Sequence, residues 1–145
     1  MEFVDHRTGT LELSRGDCLR LLAQHQGDVG RIAFVQHDEP LIFPVNFALV
    51  REMIVFRTAE GTKLDAALRG ARMAFELDRV DVSARSGWSV VVRGRAQVVT
   101  SPSELFALQA TPLRSFTETV KHGWVMISGE VISGHRVPDH GLFVS

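Results

Sequence analysis

The chain has 145 residues, enough for one sizeable hydrophobic core and too few for two, so residues 1–145 are expected to form a single domain. It is 45% hydrophobic and 23% charged, and sixteen basic against seventeen acidic residues give a formal net charge of −1. That balance argues against a general nucleic-acid or membrane surface, and no apolar run approaches the ~20 residues that a bilayer-spanning helix needs.

In chain order, Met1-Glu2-Phe3-Val4-Asp5-His6 lacks the basic region and apolar run of a signal peptide. The single cysteine, Cys18, excludes an internal disulfide, and the two features together lead to an expectation of a cytoplasmic protein. Residues 1–13 are mixed and read as extended. Ser14 reads as an N-cap with Asp17 three residues on; Cys18, Leu21 and Leu22 follow at helical spacing, and Gly27 stops the helix. Cys18 falls in that apolar pattern and is expected in the core. Residues 29–36 form a strand pattern, His37-Asp38-Glu39-Pro40 a polar turn, and residues 41–50 a second strand. Leu41, Phe43, Val45, Phe47 and Leu49 fall on one face of that strand, with Ile42, Pro44, Asn46 and Ala48 on the other. Pro44 cannot donate to a ladder, which predicts an edge or a bulge there. The small polar face around Asn46 leaves room for a flat ligand or is simply a poorly packed edge.

The stretch Arg57-Thr58-Ala59-Glu60-Gly61-Thr62-Lys63-Leu64-Asp65 follows the apolar strand end Met53-Ile54-Val55-Phe56 and leads into a short helix ending at Gly70. Thr62 and Asp65 have capping-box spacing, and Lys63 in the first turn opposes the helix dipole. A bound anion would remove that misfit. Gly61 allows close approach, and Arg57 and Lys63 on either side make a candidate phosphate cradle; the alternative is a turn with two solvated cations. Residues 72–80 read as a strand. Residues 88–100 carry the longest strand signal, interrupted by Gly94 as a bulge or sharp bend. Ser101-Pro102-Ser103-Glu104 opens another helix, which Pro112 ends. Residues 116–123 have no clear pattern, and residues 124–137 read as a last strand broken near Gly129 or Gly134. About six mostly consecutive strands with short helices predict a mainly β fold, a small antiparallel barrel with helices at its rim.

The usual motifs of catalysis are missing. Gly61-Thr62-Lys63 lacks the upstream glycine of a P-loop, and no Gly-x-Gly-x-x-Gly follows a strand. One cysteine cannot build a thiolate metal cluster, and the six histidines are scattered, so no metal site is expected. Without an evident nucleophile or carboxylate pair, redox chemistry carried by a bound cofactor gains weight.

The run Val29-Gly30-Arg31-Ile32-Ala33-Phe34, then Pro44-Val45-Asn46-Phe47, then Val55-Phe56-Arg57-Thr58 with Gly61-Thr62-Lys63-Leu64-Asp65-Ala66, resembles the pyridoxamine 5′-phosphate oxidase-like flavin-binding split barrels. Ala74-Phe75-Glu76-Leu77-Asp78 and Gly87-Trp88-Ser89-Val90-Val91-Val92-Arg93-Gly94 continue the resemblance in order, nearest to the branch that includes nitroimidazole-resistance proteins. The resemblance implies a six-stranded antiparallel split β-barrel with short flanking helices. It also implies a homodimer with FMN at the subunit interface and a small-molecule substrate. Arg57, Thr58 and Lys63, with Gly61, would hold the phosphate. Pro44-Val45-Asn46 would present backbone to the isoalloxazine edge. Ser89, beside Trp88, matches a position that approaches phosphate or ribityl, with Trp88 either a cofactor neighbour or core. Arg136 resembles a C-terminal interface arginine. A deazaflavin is the alternative cofactor, and a non-catalytic flavin-binding or sensing protein the alternative to an oxidoreductase. Thr62 stands where the nitroimidazole-resistance relatives carry His, so the resemblance does not extend to that activity. Pro138-Asp139-His140-Gly141 offers no equivalent of the substrate-binding Arg and His of true pyridoxamine phosphate oxidases, so oxidation of vitamin B6 is not expected.

Overall fold

The computed structural model describes residues 3–5, 10–58, 61–109, 111, 113 and 123–137. Ala59-Glu60 of the cradle, the helix stop at Pro112, most of residues 116–123 and Pro138-Asp139-His140-Gly141 lie outside the described residues. In chain order the elements are β1 (Phe3–Asp5), β2 (Thr10–Glu12), α1 (Arg15–Gln24), β3 (Val29–Gln36), β4 (Glu39–Asn46), β5 (Ala48–Val50) and β6 (Met53–Thr58). They continue with α2 (Thr62–Leu68), β7 (Arg72–Asp81), β8 (Ser86–Val98), α3 (Pro102–Leu108), β9 (Gly123–Ile127) and β10 (Val131–Val137).

Six of the strands make the barrel wall in the order β4-β3-β7-β8-β9-β6, every pairing antiparallel. Among the described residues no ladder joins β4 to β6, although the two strands lie side by side, and this seam is the split in the barrel. The ten strands exceed the six expected because β5 is a short addition to β6, while β10, β2 and β1 extend the sheet outward from β8. The last strand, expected to break near Gly129 or Gly134, breaks at the first: β9 and β10 separate around Gly129, and β10 runs unbroken through Gly134.

β8 belongs to both halves of the wall. Its first half pairs with β10 as far as Arg93↔Val131, and its last residues pair with β9 from Ala96↔Ile127. Gly94 sits between these pairings, where an added Cβ would lie 1.8 Å from the Ser128 carbonyl oxygen. The bulge expected there is absent on the other side, since the ladder to β7 continues through Met73↔Gly94. The glycine is needed for the close approach of Ser128, whose N–H donates to the Arg95 carbonyl at 3.1 Å.

The local chemistry explains the remaining departures. The β3–β4 turn is only His37-Asp38, with φ of 52° and 63°, the left-handed pair of a two-residue hairpin turn; Glu39 and Pro40 already pair with Gln36 and Val35. Arg51 and Glu52, at φ 51° and 65°, make the same turn between β5 and β6. The expected strand 41–50 breaks at Phe47, whose N–H donates to Asp28 (3.3 Å) and whose carbonyl accepts from Gly27 (2.8 Å). The α1–β3 connection thus occupies the backbone groups that a continuous strand would have used. Pro44 lies on β4, the edge strand, where its missing N–H costs no ladder bond.

α1 is capped as expected, the Asp17 N–H donating to Ser14 Oγ at 3.1 Å. Cys18 and Leu22 are fully buried, and Cys18 packs on Gly134, where a Cβ would come within 2.8 Å of its Sγ. α2 is capped by Gly61 (φ 146°) without a side-chain bond, so Thr62 is the first helical residue and not the cap. Its other end matches the expectation at Gly70: with φ 67°, Gly70 donates to Ala67 and Ala71 donates to Ala66, both at 3.0 Å.

The barrel interior holds Phe47, Phe56, Phe75, Ile32, Leu77, Val90 and Val92, with Phe47 and Phe75 tilted at 4.9 Å. A smaller cluster of Ala48, Val55, Leu108, Leu113 and Met126 fills the space between β6–β9 and α3. β6 is therefore buried on both faces, which explains its unbroken apolar run.

Candidate functional site

Two basic residues border the seam. Arg57 is exposed on β6, opposite Trp124 of β9, and its guanidinium lies 5.0 Å from the centroid of that indole. Lys63, in the first turn of α2, reaches across to β4, where its Nζ lies 4.8 Å from the Phe43 ring centroid. Each cation is thus positioned by an aromatic face. Thr58, the neighbour of Arg57 on the opposite side of β6, is buried, with only 4% exposed. Gly61 is exposed, with no atom within 4 Å of where a Cβ would lie. Among the described residues no carboxylate pairs with Arg57. Two cations and an open glycine thus occur within seven residues of sequence, the residue types that bind a phosphate.

β4 connects this region to a second one. Val45 points into the core, and the Asn46 carboxamide donates to the Gly27 carbonyl at 2.7 Å, holding the α1–β3 connection. In that connection His25 tilts against Trp88 at 5.1 Å, and its Nδ1 lies 3.3 Å from Asp28, which also pairs with Arg79. Trp88 is half-buried on the inner face of β8, opposite Arg136 of β10. Ser89 points outward, opposite Asp78 and His135. Seven of the ten predicted residues therefore form two groups, Arg57, Thr58, Gly61 and Lys63 at the seam beside β4, and Trp88, Ser89 and Arg136 where β8 starts and β10 ends; Pro44, Val45 and Asn46 lie on β4 between them. Along β8, Ser89 is ten residues from Val99, which bonds the backbone of Trp124 beneath Arg57. That is about 30 Å of chain measured along the strand, a path length rather than a distance across the fold.

Sequence reasoning missed Trp124, Phe43 and His25 as the partners that orient Arg57, Lys63 and Trp88. Only strand register could have revealed the first of these, since Trp124 and Arg57 are 67 residues apart in the chain and cross-strand neighbours in space. It also missed a charged group on the outer face. Arg31 Nη1 donates to Glu76 (2.9 Å) and to Asp78 (3.3 Å). Burial and the adjacent Asp78 push the Glu76 carboxyl up to about 7, against the pull of Arg31. A cavity of about 420 Å³ lies elsewhere, at the opposite end of β6 from Arg57, lined by Met53, Met126 and Leu108, and includes none of the predicted residues. Among the described residues no group of His, Cys, Asp and Glu could hold a metal ion, and no helix is long and apolar enough to cross a membrane.

Residues 14–136 match the pyridoxamine 5′-phosphate oxidase family. The chain belongs to that family. An uncharacterised protein of Mycobacterium tuberculosis is 34% identical over 132 residues, covering 88% of this chain and 85% of its own. Among solved structures, an FAD-binding protein from Mycobacterium smegmatis is 37% identical, covers 88% of this chain and 98% of its own, and superposes with a TM-score of 0.73. A conserved protein of unknown function from Corynebacterium diphtheriae is 33% identical, with coverage of 88% and 98% and a TM-score of 0.72. The family match, the split barrel and the order of the motifs along β3, β4, β6 and β8 agree with the resemblance drawn from sequence. FAD in the description of the M. smegmatis relative widens the cofactor question beyond the FMN and deazaflavin considered there.

Proposed function

We propose that the protein is a flavin-binding member of the pyridoxamine 5′-phosphate oxidase family and acts as an oxidoreductase on a small molecule. The observation that carries the reading is the 37% identity to an FAD-binding protein across 98% of that protein's length. The seam chemistry agrees with it. Arg57 and Lys63 would neutralise a flavin phosphate, with Thr58 and Gly61 shaping the turn between them. The backbone of Pro44-Val45-Asn46 would face the ring edge, on a strand whose seam side joins no ladder among the described residues. A flavin supplies hydride or electron transfer, so the chain needs only to hold it, orient a substrate and exclude water.

FMN is the proposed flavin, because its single phosphate matches one pair of cations. FAD is the second reading, favoured by the M. smegmatis relative. Ser89 and Arg136 lie away from Arg57 on their own chain, so the working unit is proposed to be a homodimer in which both groups meet one cofactor. Visible absorbance of the purified protein, followed by chromatography of the released chromophore, tests the reading. A stoichiometric flavin is expected, with FMN and FAD separated by retention. Failure to bind either one overturns it. Rapid mixing of the flavin-loaded protein with NADH or NADPH, then with a quinone or oxygen, separates an oxidoreductase, which turns over, from a carrier whose flavin stays oxidised.

A further inference from the structure

The sequence shows no evident acid or base beside the proposed flavin, yet the fold brings one to the mouth of the barrel. Arg79, Trp88 and Arg136 form a cross-strand row on the inner face of β7, β8 and β10. The α1–β3 connection meets this row twice: His25 tilts against the Trp88 indole, ring centroids 5.1 Å apart, and Asp28 pairs with the Arg79 guanidinium. Within the connection, His25 Nδ1 lies 3.3 Å from Oδ2 of the same Asp28.

A carboxylate anchored by a guanidinium accepts hydrogen bonds and gives none. Nδ1 therefore carries the hydrogen of that bond, and proton exchange falls to Nε2. Among the described residues no hydrogen bond reaches Nε2, and the His25 side chain is 28% exposed, within reach of solvent. The ring is also held in place. Asn46 donates to the Gly27 carbonyl (2.7 Å), Gly27 to Phe47 (2.8 Å), Phe47 to Asp28 (3.3 Å) and the Leu49 N–H to Gln26 Oε1 (3.0 Å). Four bonds thus tie the connection to the end of β4, whose backbone is proposed to face the flavin ring edge. His25 stands between Asn46 and Trp88 and joins two parts of the predicted site on rigid supports.

We propose that His25 is the proton-transfer residue of the site, its Nε2 protonating a small quinone or conjugated carbonyl substrate. This rests on the flavin-dependent oxidoreductase proposed above and names its substrate class. A flat conjugated acceptor suits a mouth walled by an indole and an imidazole. Its reduction takes one hydride and one proton. A bound flavin, recharged by NADH or NADPH, supplies the hydride and with it both electrons. The N–H bond at Nε2 breaks as an O–H bond forms on the substrate oxygen, and the neutral imidazole takes its next proton from water. Asp28 and Arg79 act through His25 and are positioning residues.

The test compares the flavin-loaded wild type with His25→Gln, which keeps a hydrogen-bond donor but no transferable proton, and His25→Leu, which keeps neither; circular dichroism confirms that each is folded. Pentafluorophenol, ionised at neutral pH, is the unreactive mimic of the substrate oxygen, and its stacking on the flavin is read as long-wavelength charge-transfer absorbance. Flavin affinity is expected to stay within about threefold of wild type in both variants. Phenolate binding should weaken roughly tenfold or more in His25→Leu and largely persist in His25→Gln, while quinone reduction slows roughly a hundredfold or more in both. Wild-type quinone reduction in His25→Gln overturns proton transfer. Unchanged phenolate binding in His25→Leu overturns contact with the substrate oxygen, and loss of flavin from both variants makes His25 a cofactor ligand instead. A wild type that binds no flavin, or whose flavin stays oxidised, overturns the proposed function itself and this role with it.

Discussion

The replacement Gly94→Ala tests the barrel architecture most directly. Gly94 does not need a left-handed backbone, so alanine is conformationally acceptable and the cost is steric alone. The new methyl would lie 1.8 Å from the Ser128 oxygen and 2.8 Å from its carbonyl carbon. Carbon–oxygen contacts need roughly 3.3 Å, so β8 and the β9–β10 connection must separate by about 1.5 Å. Two bonds cross that gap, Ser128 N–H to the Arg95 carbonyl and Arg95 N–H to Ser128 Oγ, each at 3.1 Å. Losing both costs about 2 kcal/mol, more where a group stays buried, and the reduced freedom of the unfolded alanine chain returns about 0.5 kcal/mol. The expected loss is about 2–3 kcal/mol, a large fraction of a typical stability of about 5–15 kcal/mol. Urea unfolding followed by tryptophan fluorescence measures it, with Gly70→Ala as the comparison. That second site has φ 67° and nothing within 4 Å of the added Cβ, so it should lose only about 1 kcal/mol, through backbone strain. A Gly94→Ala variant within about 0.5 kcal/mol of wild type, or no less stable than Gly70→Ala, would refute the close-approach argument.

Lys63→Ala and Arg57→Ala should each weaken flavin binding roughly tenfold or more, the value of a charge-assisted contact of about 1.5–3 kcal/mol, read by quenching of flavin fluorescence. Unchanged affinity in two folded variants would make both cations ordinary surface charges. Ser14→Ala should cost about 1 kcal/mol of α1 capping at neutral pH, measured by thermal unfolding. The Ser14 hydroxyl also holds Asp17 below its usual 3.8, so this stabilisation exists above 3.8 and is lost as pH falls through the lower folded value. The gap between wild type and variant should therefore narrow in acid; a gap that widens there contradicts the assigned bond. Leu22→Ala, at a fully buried position of α1, should lose about 2–5 kcal/mol in the same assay, and a loss below about 1 kcal/mol would mean that α1 is not part of the core.

Much of the fold was legible because it rests on local chemistry. The Ser14 cap, the β3 boundaries, the edge position of Pro44 and the Gly70 helix end each depend on a few adjacent residues. The misreadings share a different cause. Phe47 breaks a strand because Gly27 and Asp28, about twenty residues earlier, take its backbone bonds. His37-Asp38 and Arg51-Glu52 adopt left-handed turns without glycine or asparagine, so the usual hairpin signal is missing. Gly94 looked like a bulge because its reason, Ser128, lies 34 residues away. The candidate site divides in the same way. The Arg57–Lys63 stretch is contiguous and could be read directly. Its aromatic supports, and the separation of Ser89 and Arg136 from it, follow from pairings such as Arg57↔Trp124 and Trp88↔Arg136 that no short window contains.

The burial of Cys18 gives the molecule an internal clock. The thiol lies beneath α1 against Gly134, fully covered, and burial raises it above the ordinary cysteine value, so in the closed state it neither meets a reagent nor ionises readily. A disulfide-exchange reagent can react only while α1 stands away from β10. The labelling rate divided by that of an exposed thiol is then the equilibrium constant for that opening, a local free energy distinct from global unfolding. Because the chain contains one cysteine, every labelled molecule reports the same event. The motions of this helix, whose C-terminal connection touches Trp88 and Asn46, become countable with and without a flavin bound.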